Sequence, residues 1–139
     1  MSIKSCAIAA ALLGLTACQS TIETQLQDIA LQGSWHIEVV SEKPVIDYSP
    51  AQFTFAPDGK LTGNNSCNNF FGQYSVDGNK ITLTPAGSTM KACVDALMAQ
   101  ERRVMASMPE VATGEFAKGK LLLKDAAGSI QFVLSKIKI

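Results

Sequence analysis

Residues 52–84 read QFTFAPDGKLTGNNSCNNFFGQYSVDGNKITLT, and the alternation in this stretch decides the fold. Phe53 and Phe55 sit two apart, with Gln52 and Thr54 pointing the other way. That is the period of a strand with one buried face. Pro57-Asp58-Gly59-Lys60 follows as a tight turn, in which proline presets its own φ and glycine takes a positive one. Lys60 to Asn64 starts the return strand. Phe70, Gly72, Tyr74 and Val76 share one side of the next strand, and Asp77-Gly78-Asn79 turns the chain again. Ile81 and Leu83 then share a face of the strand Lys80–Thr84. Sequential hairpins of this kind favour a meandering antiparallel sheet.

The same period extends outward in both directions. Upstream, Trp35, Ile37 and Val39 alternate with His36 and Glu38, and Pro44 and Pro50 bracket a loop. Downstream, residues 112–117, 120–125 and 129–137 read as three strands, turned at Lys118-Gly119 and Ala127-Gly128. Between the two groups the period becomes helical. Val94, Leu97, Met98, Glu101, Met105 and Met108 fall on one stripe with Val104 beside it, and only Glu101 is not apolar. The methionines read as core packing. Asp95 lies in the first turn or caps it, and Pro109 stops the helix. The expected fold is mainly β (α+β). About eight short antiparallel strands curl into a barrel or half-barrel, which removes exposed edges. One helix falls between the fifth and sixth strands and plugs or covers an open end.

The chain has 139 residues, enough for one domain, and 12 Lys+Arg stand against 12 Asp+Glu. Zero formal charge argues against a nucleic-acid partner, whose phosphates demand a basic surplus. Residues 1–17 read as an export signal. Lys4 is followed by the apolar run Cys6–Leu15, the length of a signal core and half of the roughly twenty residues a spanning helix needs. Leu15-Thr16-Ala17-Cys18 resembles the lipobox of bacterial lipoproteins. On that reading Cys18 is lipidated and becomes the first residue. Acyl chains, at about 0.8 kcal/mol per buried methylene, then anchor the protein to a membrane. The alternative is an ordinary secretory signal with a chance cysteine. Gln19, in place of Asp, points to the outer membrane and its periplasmic face. Residues 18–30 read as a lipidated tether and 31–139 as the domain. Loss of Lys4 leaves 11 basic against 12 acidic residues, a net charge of −1.

Two stretches stand out within the domain. Asn64-Asn65-Ser66-Cys67-Asn68-Asn69 lies between two strands, where asparagines that tolerate positive φ and bond to nearby backbone suit a bulged corner. Ser88-Thr89-Met90-Lys91-Ala92-Cys93 precedes the helix. Together they resemble the META domain of HslJ-like proteins. That family has Gly-x-Trp near its start, as in Gly33-Ser34-Trp35. It has Cys-Asn-x-Phe-x-Gly-x-Tyr, matched by Cys67, Asn68, Phe70, Gly72 and Tyr74. It has a Thr-containing run ending in Cys, matched by Thr89, Met90 and Cys93. The resemblance spans about residues 31–137. It implies a small, mostly antiparallel β structure with helical cover. It further implies an envelope lipoprotein associated with heat induction and novobiocin tolerance, without a general catalytic activity.

Cys67 and Cys93 are the two thiols left after processing. In an oxidising periplasm they form a disulfide joining the Asn-rich corner to the helix entrance, or else remain two buried thiols apart. The bond would close a loop worth about 3 kcal/mol in the chain-entropy model. Other chemistry finds little support. His36 is the one histidine and lacks clustered ligands or a nucleophilic partner. Asp58, Asp77 and Asp125 sit in or beside turns, and no loop cradles phosphate. Neither cofactor nor metal is expected. Lys91, Arg102 and Arg103 form either a small basic patch or a solvated helix face. Asn64, Asn65, Asn68 and Asn69 either cap backbone or bind a sugar or peptidoglycan fragment through their amides. The leading expectation is a non-enzymatic lipoprotein that binds an unknown protein or envelope component. The alternatives are a small-molecule-sequestering barrel and an inhibitor of an envelope hydrolase, the latter needing a protruding loop such as Ser41–Pro50.

Overall fold

The computed structural model describes residues 27–139. The expected signal peptide, Cys18 and most of the expected tether lie outside the described residues. Nine strands follow in the order β1 (Gly33–Val40), β2 (Lys43–Pro44), β3 (Gln52–Phe55), β4 (Lys60–Asn64), β5 (Asn69–Asp77), β6 (Lys80–Ser88), β7 (Thr113–Ala117), β8 (Lys120–Lys124) and β9 (Ile130–Lys136). The helix α1 (Asp95–Ser107) and a 3-10 turn, Met108–Glu110, lie between β6 and β7. Every pairing is antiparallel, and β9 pairs back onto β1 from Trp35↔Lys136 to Val40↔Phe132. Eight strands therefore close a ring, and the two-residue β2 extends β1 outside it.

The strand that sequence alone leaves out is β2. Its hairpin turns on Ser41 and Glu42, at φ 45 and 65. Neither residue type signals a turn with two positive φ angles. Two further differences have local causes. Val40 rather than Val39 is buried at the end of β1, because the register with β9 shifts between Ile37 and Val39. β6 runs four residues beyond Thr84, because a bulge in the β5–β6 ladder between Phe71 and Gly72 leaves room for Pro85, which has no N–H to offer.

Inward-facing side chains fill the ring. Phe53 is fully buried and meets Phe55, Phe70 and Phe132 edge to face, with centroids 5.9, 5.7 and 5.0 Å away. Burying a side chain of this size contributes roughly 2–3 kcal/mol. The weakest seam lies between β6 and β7, which share the pair Lys80↔Thr113 and the bond from Ile81 N to Ala112 O. The 3-10 turn packs beside β6 where the two strands diverge, with Met108 and Val111 buried.

The two ends of the barrel are covered differently. At the end where β1 and β4 finish, α1 lies across the loops. Its buried residues are Gln100, Val104 and Ser107, while Val94 is exposed and Leu97 and Met98 are half-buried. The helix is thus rotated from the expected methionine stripe. Loops with unpaired polar groups lie beneath it, and a polar residue satisfies them where Met cannot. Gln100 Nε2 donates to Ser49 Oγ and Ser66 Oγ, both at 2.6 Å, and its Oε1 accepts from Ile46 N at 3.0 Å. Asp95 stands in the first turn without capping, and Pro109 falls in the 3-10 turn that ends the helix. At the opposite end a strap crosses the mouth. Ile29 N donates to Gly78 O at 2.9 Å, Asp28 Oδ1 accepts from Gly78 N at 2.7 Å, and Leu31 is buried. The sequence-drawn tether, extended to residue 30, is therefore already docked from Asp28 onward.

Candidate functional site

The Asn-rich corner between β4 and β5 and the segment before α1 come together at the helix-covered end. Cys67 and Cys93 are joined as a disulfide, with Cα atoms 5.8 Å apart. The left-handed residue of the corner is Ser66, at φ 105, and not an asparagine. The asparagines instead hold the turn through their side chains. Asn65 Oδ1 accepts from Asn68 N at 2.7 Å, and Asn64 Oδ1 accepts from Ser66 N at 2.8 Å. Asn64 Nδ2 donates to Asn69 Oδ1 at 3.1 Å.

Asn68 reaches outward from the corner and is 3% exposed. Its Oδ1 accepts from Thr89 Oγ1 at 2.9 Å and from Lys91 N at 2.8 Å. Its amide donates to Lys91 O at 3.2 Å and to Glu101 Oε1 at 3.0 Å. Asn65 Nδ2 donates to the same Glu101 oxygen, also at 3.0 Å. Thr89 Oγ1 in turn accepts from Asn69 N at 3.1 Å. Three segments distant in sequence are thereby tied at one point. Glu101, Gln100 and Ser66 are the members that motif reading leaves out. Their one sequence signal is Glu101, the sole interruption of the apolar stripe.

Between the two pinned neighbours Thr89 and Lys91, Met90 projects outward and is 96% exposed. Val94, at the start of α1, and Phe71, on the outer face of β5, are also exposed. Phe71 lies across Gly87 of β6, where a Cβ would meet its ring at 2.7 Å. The remaining motif residues serve the barrel. Phe70 packs on Phe53, and Gly72 lets the Thr84 carbonyl approach where a Cβ would collide. Tyr74 donates to Ala56 O at 2.6 Å and stacks edge to face on Phe55. Burial, with a smaller contribution from the Asp58 charge, pushes the Tyr74 hydroxyl above its ordinary range. Trp35 Nε1 donates to Leu31 O at 2.7 Å.

His36 lies on the outer side of β1, level with Gln52 and Ser135. Lys91 and Arg102 are exposed and Arg103 is half-buried. Among the described residues no group of three or more His, Cys, Asp or Glu side chains could hold a metal. The Ser41–Pro50 loop is folded down. Val45 N donates to Glu38 O, Ile46 is bonded to Gln100 and Ser49 is buried, so that Tyr48 is the exposed aromatic residue of the loop.

The model of the META domain matches residues 24–136. Among solved structures, the NMR structure of a protein from Burkholderia xenovorans is similar at 19% identity and TM-score 0.63, covering 100% of this chain and 99% of that one. The crystal structure of a DUF4847 family protein from Bacteroides vulgatus is similar at 13% identity and TM-score 0.58, covering 78% and 94%. A further NMR structure is similar at 21% identity and TM-score 0.57, covering 75% and 88%. These structural likenesses concern the fold. No curated protein matches the chain significantly.

Proposed function

The chain belongs to the META-domain family, and from that membership we propose that it is a non-enzymatic envelope lipoprotein that binds a protein or envelope component. Acyl chains on Cys18 hold it at the periplasmic face of the outer membrane, and it serves there in tolerance of heat or novobiocin-like antibiotic stress. The observation that carries the binding role is the presentation of Met90. An exposed thioether stands between two residues whose positions are fixed by Asn68 and by the neighbouring disulfide. Fixing a contact residue before association removes part of the ordering cost of binding. Polarizable methionine suits an apolar partner surface. The disulfide supports an oxidising compartment. The polar motif side chains are spent on one another, which supports a binding role over catalysis.

The filled interior disfavours sequestration of a compound deep within the barrel and leaves only its open mouth for a small-molecule binder. The pinned Ser41–Pro50 loop disfavours a protruding inhibitory loop.

A photoreactive residue at position 90, placed in the lipidated protein in cells, tests the binding role. One discrete adduct is expected from position 90 and none from position 128, in the β8–β9 turn. The adduct should weaken in a Cys93→Ser variant, whose Met90 segment is loosened. Equal adducts from both positions would count against a site at Met90. Mass spectrometry of the N-terminal fragment tests the anchor independently: a diacylated Cys18 is expected, and an unmodified one defeats it.

A further inference from the structure

We propose that the mouth of the barrel on the strap side rests on an anionic lipid surface; this orientation assumes the Cys18 anchor proposed above. The strap Asp28–Gln32, the turn around Pro57 and Gly59, and the β5 segment Tyr74–Val76 surround an open concavity of about 690 Å³ with Trp35 and Lys136 in its wall. This is the end at which the chain enters the domain.

Aromatic and cationic groups gather on the rim. Phe116 pairs across from Leu121, whose side chain is fully buried inside the barrel. It therefore faces inward too, but at the end of β7 it emerges 51% exposed, its centroid 6.0 Å from that of Trp35. Lys136, opposite Trp35 in the β1–β9 register, holds its ammonium 4.5 Å from the indole centroid and donates to Gln32 O. Lys118, in the β7–β8 turn two residues after Phe116, and Lys138, two residues after Lys136, are exposed.

The rim's acids, Asp28 in the lining of the concavity among them, are outnumbered by its lysines. Asp28 accepts from Gly78 N, Asp58 pairs with Lys60 at 3.2 Å, and Asp77 stands opposite Lys80. Lys118, Lys136 and Lys138 have no carboxylate partner among the described residues. An exposed aromatic ring flanked by unmatched lysines is the composition that favours an anionic headgroup region.

Chain length makes the contact unavoidable to sample. Asp28 lies ten positions after Cys18, and ten residues span at most roughly 35 Å when fully extended. A lipid at Cys18 thus keeps the mouth at high effective concentration over the bilayer, so a weak attraction suffices to orient it. Met90, at the helix-covered end, then points away from the membrane towards a periplasmic partner.

Trp35 is the chain's single tryptophan and reports on this mouth directly. The lipidated full chain is reconstituted into phosphatidylethanolamine–phosphatidylglycerol vesicles that carry a nitroxide on a fraction of headgroups. Trp35 emission should fall roughly twofold relative to unlabelled vesicles, and recover in pure phosphatidylcholine or at about 1 M salt, where the screening length drops to about 3 Å. A Lys118→Glu/Lys138→Glu variant and a Phe116→Ser variant should each lose most of the quenching, and Met90→Ser should keep it. Equal quenching in neutral and anionic vesicles, or unchanged quenching in the lysine variant, overturns the proposal. Shielding of Trp35 by free decanoate without lipid quenching also overturns it, and makes the mouth a small-molecule site. Flotation separates the two readings: protein that fails to float has no anchor, whereas protein that floats unquenched is anchored but not docked.

Discussion

The Asn68 amide donates to Glu101 Oε1 across 3.0 Å, although 33 residues separate them in sequence. The same oxygen accepts from Asn65, and the Asn68 carbonyl accepts from both Thr89 and Lys91. One buried amide therefore couples the corner, the Met90 segment and the helix. Removing it in Asn68→Ala leaves Lys91 N and Glu101 short of partners, at an expected cost of about 2–3 kcal/mol. Asn68→Asp is the sharper test. It keeps the acceptor for Lys91 N, loses the donors, and sets a second carboxylate beside Glu101. It should be more destabilising than alanine at pH 7 and recover towards it as the introduced carboxylate protonates. Urea unfolding of both variants at pH 7 and pH 4 measures the order.

The alternation of Phe53, Phe55, Ile81 and Leu83, with Pro-Asp-Gly between strands, makes the sheet and its turns legible from sequence. Each such position answers to a local rule of period two. The rotation of α1 is not local. It depends on which loops lie under the helix, and Gln100 is chosen by Ser49, Ser66 and Ile46, which are 34 to 54 residues away. The candidate site divides in the same way. Its asparagines and cysteines are visible as a cluster, whereas Glu101, the acceptor that Asn65 and Asn68 share, is marked only as a charge in an apolar stripe. The positive φ of Ser66 is imposed by Asn64 and Asn65 around it, against the preference of serine itself.

The β1–β2 turn carries a correctable strain. Glu42 is exposed at φ 65 in the second position of a two-residue hairpin. Glycine is the favoured residue at that position, because a Cβ there costs about 1–2 kcal/mol. The greater freedom of glycine in the unfolded chain takes back part of that gain, about 0.4–1 kcal/mol. Glu42→Gly should raise the unfolding free energy by roughly 0.5 kcal/mol. A lower urea midpoint in the variant would show that Glu42 makes a contact that outweighs its backbone cost.

Acid should weaken the fold through three carboxylates. A hydrogen bond from Lys120 at 2.5 Å lowers the Glu38 carboxyl below its usual range, with burial opposing. Backbone N–H groups, of Ser129 for Asp125 and of Lys60 for Asp58, lower those two. A carboxylate whose pKa is depressed on folding stabilises the protein above its unfolded value, and that contribution vanishes as pH falls through the folded value. Stability should therefore hold from pH 7 to about 5 and decline below about 4. Glu38→Gln should cost less than about 1 kcal/mol at pH 7, since the pair is partly exposed, and should make the acid decline shallower. Urea midpoints at pH 7, 5 and 3 decide this, and a midpoint that rises on acidification contradicts it.

Two glycines separate packing from backbone conformation. Gly72 belongs to the corner motif and lies beside the bulge, where an added Cβ would overlap the Thr84 carbonyl oxygen and crowd the Pro85 backbone. A strand backbone on one side and a proline on the other leave little room to yield. Gly72→Ala should cost about 3 kcal/mol or more. Gly128 lies in the β8–β9 turn with open space around its Cβ direction, and its constraint is φ +87 alone. Gly128→Ala should then cost only about 1–2 kcal/mol, the strain of a left-handed residue. Equilibrium unfolding ranks the two. If Gly72→Ala proved the milder change, the motif glycine could not owe its place to the close passage of β5 and β6, and the bulge would need another cause.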